Sequence, residues 1–236
     1  MTMSLPEQSP QQRRIALIAG VLFVITFVAS IPAVLLYEPV LEHADYILGA
    51  GADTRVQFGA FLEIITAIAN IGTAVVLFPI VKRQNESIAL GYVASRVLES
   101  TVIVVGLVSV LSVVTLRQDL AGAAGSDPAT LTTVGRSLVA IHDQTFLLGP
   151  AFCAGFGNGL LLGYLMYASG LVPRRMALLG VIGGPLAFAT ATAVLFGAYK
   201  QTSATNFLFT LPEILWEASL GIYLIVKGFR PSPILA

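Results

Sequence analysis

Charge is scarce in this chain. Only 11% of its 236 residues are Asp, Glu, Lys or Arg, 13 acidic and 13 basic, where a soluble domain carries about 25%. A chain so short of charge cannot cover itself with a water-compatible surface. The formal net charge is zero, which removes any electrostatic case for nucleic acid as a partner. Cysteine is rarer still. Cys153 is the only one, so no internal disulfide can form, and a lone thiol in an apolar run reads as a small hydrophobe rather than a nucleophile. Two histidines are present, one of them, His43, outside the apolar runs. No HExxH or paired-cysteine spacing accompanies them, so no metal site and no cofactor is expected. GxSxG is absent as well, and nothing else points to a hydrolase. No catalytic residue is assigned, and the balance leans away from an enzyme.

What is abundant is apolar sequence: 56% of residues, at a mean hydropathy of +0.85. A helix needs about 20 apolar residues to cross the hydrocarbon core. Six runs qualify, at 15–37, 56–81, 88–116, 138–167, 176–199 and 207–226. The expected fold is all-α, a single six-helix transmembrane bundle over residues 15–229. A polar, disordered tail is expected at 1–14 and a second tail at 230–236. The first run is too long for a signal-peptide core and reads as an uncleaved span.

Six crossings put both termini on one side. That side carries Arg13, Arg14, Lys82, Arg83, Arg174, Arg175, Lys227 and Arg230, against Arg55, Arg117, Arg136 and Lys200 on the other. The positive-inside bias makes both termini cytoplasmic, in the cell membrane. Ser126-Asp127-Pro128 reads as a helix cap with Pro at the first helical position. Leu131, Val134, Leu138 and Ile141 then recur at helical spacing. An amphipathic helix is therefore expected on the outer surface before the fourth span, turning inward near Gly149-Pro150. Within that span, Gly155, Gly159 and Gly163 form overlapping GxxxG pairs, a surface for close helix contact and for a homo-oligomer or partner helix.

Charged and polar residues inside the spans carry the functional signal. Glu63 and Asn70 lie in the second, with Thr66 and Thr73 on the same stripe. Tyr92, Arg96 and Glu99 lie in the third, His142 and Asp143 in the fourth, and Glu213, Trp216 and Glu217 in the sixth. A charge facing lipid at the bilayer centre costs roughly 2.5–3.5 kcal/mol, so these groups should turn inward and meet. Arg96 and Glu99 are three apart, and Glu213 and Glu217 four apart, each pair on one helix face. Five carboxylates would then share one arginine and one histidine. Burial and mutual repulsion work against five simultaneous negative charges, so a bound proton or a bound cation is expected. The plainer reading gives the same residues structural work: an Arg96–Glu99 pair fixing helix register, a wet His142 and Asp143 at the interface, and Glu213 capping the start of the sixth helix.

The segments NIGTAVVLFPIVKRQNESIALGYVASRVLES, AIHDQTFLLGP, NGLLLGYLMYASGLVPR and LPEILWEASLGIYLIVKGF resemble a bacterial membrane-protein family known as domain of unknown function 4386 (DUF4386). The resemblance runs from Arg13 to Phe229. It implies a bacterial, multi-pass integral membrane protein and brings no activity, cofactor or catalytic residue with it.

Three functional expectations follow. The first is a small proton- or cation-linked transporter or solute-binding membrane protein, with Arg96 as fixed counter-charge to Glu63, Glu99 and Glu217. The second is an intramembrane enzyme acting on lipid, with Asp143 or Glu213 as general base. The third is a non-catalytic accessory or sensor protein that binds a helix through its glycine face. Expected partners are the lipid bilayer and a small solute or cation.

Overall fold

The structure is a computed structural model and describes residues 8–43, 45–49, 51–120 and 127–236. All the regular structure among these residues is helical. The spans are α1 (Pro10–Leu36), α3 (Asp53–Val81), α4 (Glu86–Leu120), a continuous run from α5 (Pro128–Phe146) through Leu147–Leu162 into α6 (Gly163–Ser169), α7 (Arg174–Leu195) and α8 (Ala204–Val226). A one-turn helix, α2 (Glu38–Glu42), and a 3-10 turn at Tyr46–Leu48 follow α1. Six of these stretches are long and apolar enough to cross a membrane, so the expected six-helix transmembrane fold is the one observed.

Both ends of the chain depart from the expected tails. Helix α1 begins at Pro10, not at residue 15, because Ser9-Pro10-Gln11-Gln12 is a capping box. The Ser9 hydroxyl accepts from the Gln12 amide at 3.2 Å, and Gln12 Oε1 accepts from the Ser9 amide at 2.7 Å. Residues 1–7 of the expected tail lie outside the described residues. At the other end, residues 229–236 pack against the bundle. Phe229 and Leu235 are buried. Ser232 donates to the Ser169 carbonyl at 2.6 Å, and Gln12 Nε2 donates to the Leu235 carbonyl at 3.0 Å.

The amphipathic helix expected before the fourth span is α5, continuous with that span rather than a separate piece. Asp127 does cap α5, accepting from the Ala129 and Thr130 amides at 3.3 and 3.1 Å, while Ser126 falls outside the described residues. But α5 runs straight on through Gly149-Pro150. From Leu147 to Leu162 the helix is wound wide, in the i→i+5 pattern. Pro150 has no N–H to donate inside this stretch. Single turns of such wide winding within α-helices are frequent at functional sites. Helix α4, at 35 residues, is about 50 Å long, more than a hydrocarbon core of about 30 Å requires, and it packs against α5.

The helices close into a ring in which α1 packs on α3, α3 on α4, α4 on the wide segment, that segment on α7, α7 on α8 and α8 on α1. Small residues set the close approaches. A Cβ on Gly20 would lie 2.6 Å from the Gly221 carbonyl oxygen, which locks α1 to α8. Gly155 and Gly163 make the same kind of contact with α7, a Cβ on either lying 2.9 Å from Gly184 O or Val181 N. These glycines of the GxxxG face therefore meet α7 of the same chain. Helices α6 and α7 end at glycines in left-handed conformation, Gly170 (φ 70°) and Gly197 (φ 75°), and Gly197 stops the fifth span short of the expected residue 199.

Apolar layers fill the two ends. Phe23, Leu77, Leu162, Met166, Leu220 and Leu224 pack at the end that carries the termini. Tyr37, Val40, Ile47, Val56, Val110 and Val114 pack at the opposite end. Outside, Val28, Ile68, Val75, Leu98, Val108, Phe207 and Ile222 are exposed and form the lipid-facing surface. Between the two apolar layers lies a polar belt.

Candidate functional site

Helix α4 carries Arg96 and Glu99 one turn apart on its buried face. Arg96 is 1% exposed, and its Nη1 lies 2.9 Å from Glu99 Oε2. Its Nη2 donates to Asn70 Oδ1 on α3 at 2.5 Å, and Asn70 Nδ2 donates to Glu99 Oε1 at 3.2 Å. The three side chains close a triangle that ties α3 to α4. The Thr73 hydroxyl donates to the Asn70 carbonyl at 2.6 Å and accepts from Tyr92 at 3.2 Å, which holds the stripe on α3 in place.

A third helix reaches the same guanidinium. Glu217 Oε1 on α8 lies 3.8 Å from Arg96 Nη1 and accepts a short hydrogen bond from Asn158 Nδ2. Trp216 is fully buried, and its Nε1 donates to the Asn158 carbonyl at 3.0 Å. Asn158 thus fixes two residues of α8, and the sequence analysis did not single it out. A lone amide in an apolar span was the available signal.

Glu63 sits one level away. It accepts from the Tyr37 hydroxyl at 3.0 Å, and the His142 ring meets Tyr37 edge-on at 5.6 Å between centroids. His142 is buried and its Nδ1 has no hydrogen-bond partner. Tyr37 is a second residue that the sequence reading missed, since a tyrosine at a span end reads as an interfacial anchor.

Glu213 differs from the other carboxylates. It is 4% exposed, and neither Oε1 nor Oε2 has a hydrogen-bond partner. Its position is set by glycines. A Cβ on Gly183 would lie 2.7 Å from the Glu213 amide nitrogen, and one on Gly159 would run into the carboxylate itself. Glu213 lies in the third turn of α8, which Ser203 caps, so the capping role that the plainer reading gave it is not the one it plays.

Glu63, Asn70, Arg96, Glu99, His142, Glu213 and Glu217 all line one cavity of about 310 Å³ inside the ring. Thr26, Thr145, Asn206 and Thr210 add hydroxyl and amide groups, and Phe27, Ile31, Val34, Phe146 and Ile214 supply apolar walls. Ile31, Val34 and Phe146 are also exposed on the outer surface. They lie on α1 and α5, toward the end of the bundle remote from the termini. Asp143 does not join the cluster. It follows His142 by one position, about 100° around the helix, and its side chain is 64% exposed. It lines a separate pocket of about 220 Å³ with His43, Tyr46 and Arg136.

A second charged group lies at the remote end. Arg117 pairs with Asp53 and donates to the Gly49 carbonyl at 2.7 Å, while Tyr46 donates to Asp53 at 2.7 Å. This clasp ties α3, α4 and the Tyr46–Leu48 turn together.

A helical ring with an apolar exterior and a charged interior defines a multi-pass membrane-embedded protein. The chain belongs to the family described as Domain of unknown function (DUF4386), whose model matches residues 18–228. No curated protein matches the chain, and no solved structure matches it.

Proposed function

We propose that this protein is a small proton- or cation-linked transporter or solute-binding protein of the cell membrane, with the central cavity as its solute site. The observation that carries the reading is the convergence of Glu63, Glu99, Glu213 and Glu217 on one cavity that holds a single guanidinium, Arg96, and one imidazole, His142. Ionisable groups at membrane depth mark substrate and ion pathways. The Lys and Arg bias toward the end with the termini supports cytoplasmic termini, so the cavity opens toward the outside. Arg96 is the fixed counter-charge, and proton exchange on the remaining carboxylates would couple to solute entry.

The test is flux. Proteoliposomes with an entrapped pH-sensitive dye, challenged with a panel of small amines, amino acids and sugars, should show solute-dependent proton movement. Glu63→Gln, Glu99→Gln and Glu217→Gln should each change its rate or its pH dependence. Proton movement identical across wild type and all three variants, with every solute, would remove the reading.

The exposure of the cavity-lining Ile31, Val34 and Phe146 on the apolar flank of the bundle supports a second reading, an enzyme acting on a lipid drawn in from the bilayer. With Asp143 outside the cavity, Glu213 is the remaining candidate base. Release of a cleaved head group from phospholipid vesicles by wild type, and not by Glu213→Gln, would favour it.

A further inference from the structure

Glu213 marks the point where a ligand would be held. Each of the other three cavity carboxylates already has a partner: Arg96 and Asn70 for Glu99, Asn158 for Glu217, and Tyr37 for Glu63. Glu213 alone presents two buried oxygens without one. Buried acceptors without donors are costly in a folded protein and are normally satisfied. A ligand that supplies hydrogen-bond donors would satisfy both oxygens, and the surplus of carboxylates in the cavity favours one that carries positive charge.

The shape of the site narrows the ligand further. Among the described residues no three His, Cys, Asp or Glu side chains are grouped closely enough to hold a metal ion, which argues against a carboxylate cage for a bare divalent cation. The cavity, at about 310 Å³, is instead the size of a small organic-ligand site. Its lining combines the carboxylates with apolar side chains, among them Phe27, Ile31, Phe146 and Ile214.

We infer that the cavity binds a small amphiphilic organic ammonium ion, its N–H donors on Glu213 and its apolar body against Phe27, Ile31, Phe146 and Ile214. A protonated primary amine has three donors in a compact charged head, which suits both open oxygens of Glu213 with one left for the cavity hydroxyls. Glu217, one helical turn on, adds attraction at short range. The inference rests on the solute-site reading above and names the class of solute.

Calorimetric binding to the full chain in detergent at pH 7.5 tests it with four six-carbon probes: hexylammonium, hexyltrimethylammonium, hexanol and hexanoate. Hexylammonium should bind at least about tenfold tighter than hexanol or hexanoate. It should also bind more tightly than hexyltrimethylammonium, which has the charge without the N–H donors. Glu213→Gln should weaken hexylammonium at least about tenfold. Thr210→Lys, which places a tethered ammonium on the cavity wall, should abolish its binding even if Glu213→Gln does not fold. Equal binding of the four probes, or no saturable hexylammonium binding up to about 10 mM, would overturn the inference. Such a result would leave proton-linked flux of other solutes standing. Intact hexylammonium selectivity without any pH-dependent flux would keep the site and sink the transport reading.

Discussion

Replacing Glu213 by methionine is expected to stabilise the protein. The native carboxylate is buried with both oxygens unpartnered, and a buried polar group left without its hydrogen bond costs about 1–3 kcal/mol. Methionine has similar length, is apolar, and can follow the same path past Gly159 and Gly183. Removing the carboxylate also removes its repulsion with Glu217. The gain should therefore be about 1–3 kcal/mol. Glu99→Met is the contrasting variant. Its carboxylate holds Arg96 and Asn70, and breaking a buried pair on one side costs about 3–5 kcal/mol. Trp216 is the only tryptophan and is fully buried three residues from Glu213, so its fluorescence reports unfolding by SDS in mixed micelles. A Glu213→Met protein that loses more than about 1 kcal/mol would refute the reasoning, because it would mean that the carboxylate is held by partners in the native bundle. A stable but inactive Glu213→Met protein is the trade-off expected of a binding residue.

Further variants test other parts of the fold. Gly184→Val should overpack the contact between α7 and the wide segment, where a Cβ would fall 2.5 Å from the Leu160 amide nitrogen. The expected loss is at least about 1–3 kcal/mol with no change in oligomeric state by light scattering. Ser232→Ala removes the hydrogen bond to Ser169 and should cost about 0.5–1.5 kcal/mol, read as a lower thermal midpoint, with faster proteolysis of the last eight residues. Asp127 is exposed at the start of α5, and the hydroxyl and amide of Thr130 hold its carboxyl below the usual carboxylate range. A depressed folded pKa means capping that is complete above the unfolded value and lost as pH falls through the folded one. Hydrogen-exchange protection of the first turn of α5 should therefore drop on acidification, and Asp127→Asn should flatten that dependence.

The inward meeting of the charges was legible because lipid leaves a charged side chain few alternatives. Arg96, Glu99, Asn70 and Glu217 were all recognised from depth and spacing. Asp143 was misplaced by its adjacency to His142, although a step of about 100° between neighbours on a helix already turned it out of the cluster. Asn158 and Tyr37 were missed because each has a common structural reading, amide packing and interfacial anchoring, that sequence cannot separate from a role in the site. Gly149-Pro150 looked like a turn, yet the helix carried on through it by winding wide, a solution that no local residue preference announces. The start of α1 was readable in the Ser9–Gln12 capping box and was overlooked amid polar residues. The glycine face was identified as a contact surface, but only the three-dimensional arrangement could show that its partner is α7 of the same chain.

The most direct test of the central account uses one cysteine in the cavity wall. In a Cys153→Ala background, Thr210→Cys is offered two membrane-impermeant thiol reagents of similar size, one bearing a trimethylammonium group and one a sulfonate. An acidic cavity reached from the outer solution predicts modification at least about tenfold faster by the cationic reagent, with the preference falling in Glu213→Gln. Equal rates for the two reagents, or a thiol that neither can reach, would contradict a shared acidic chamber within the bundle.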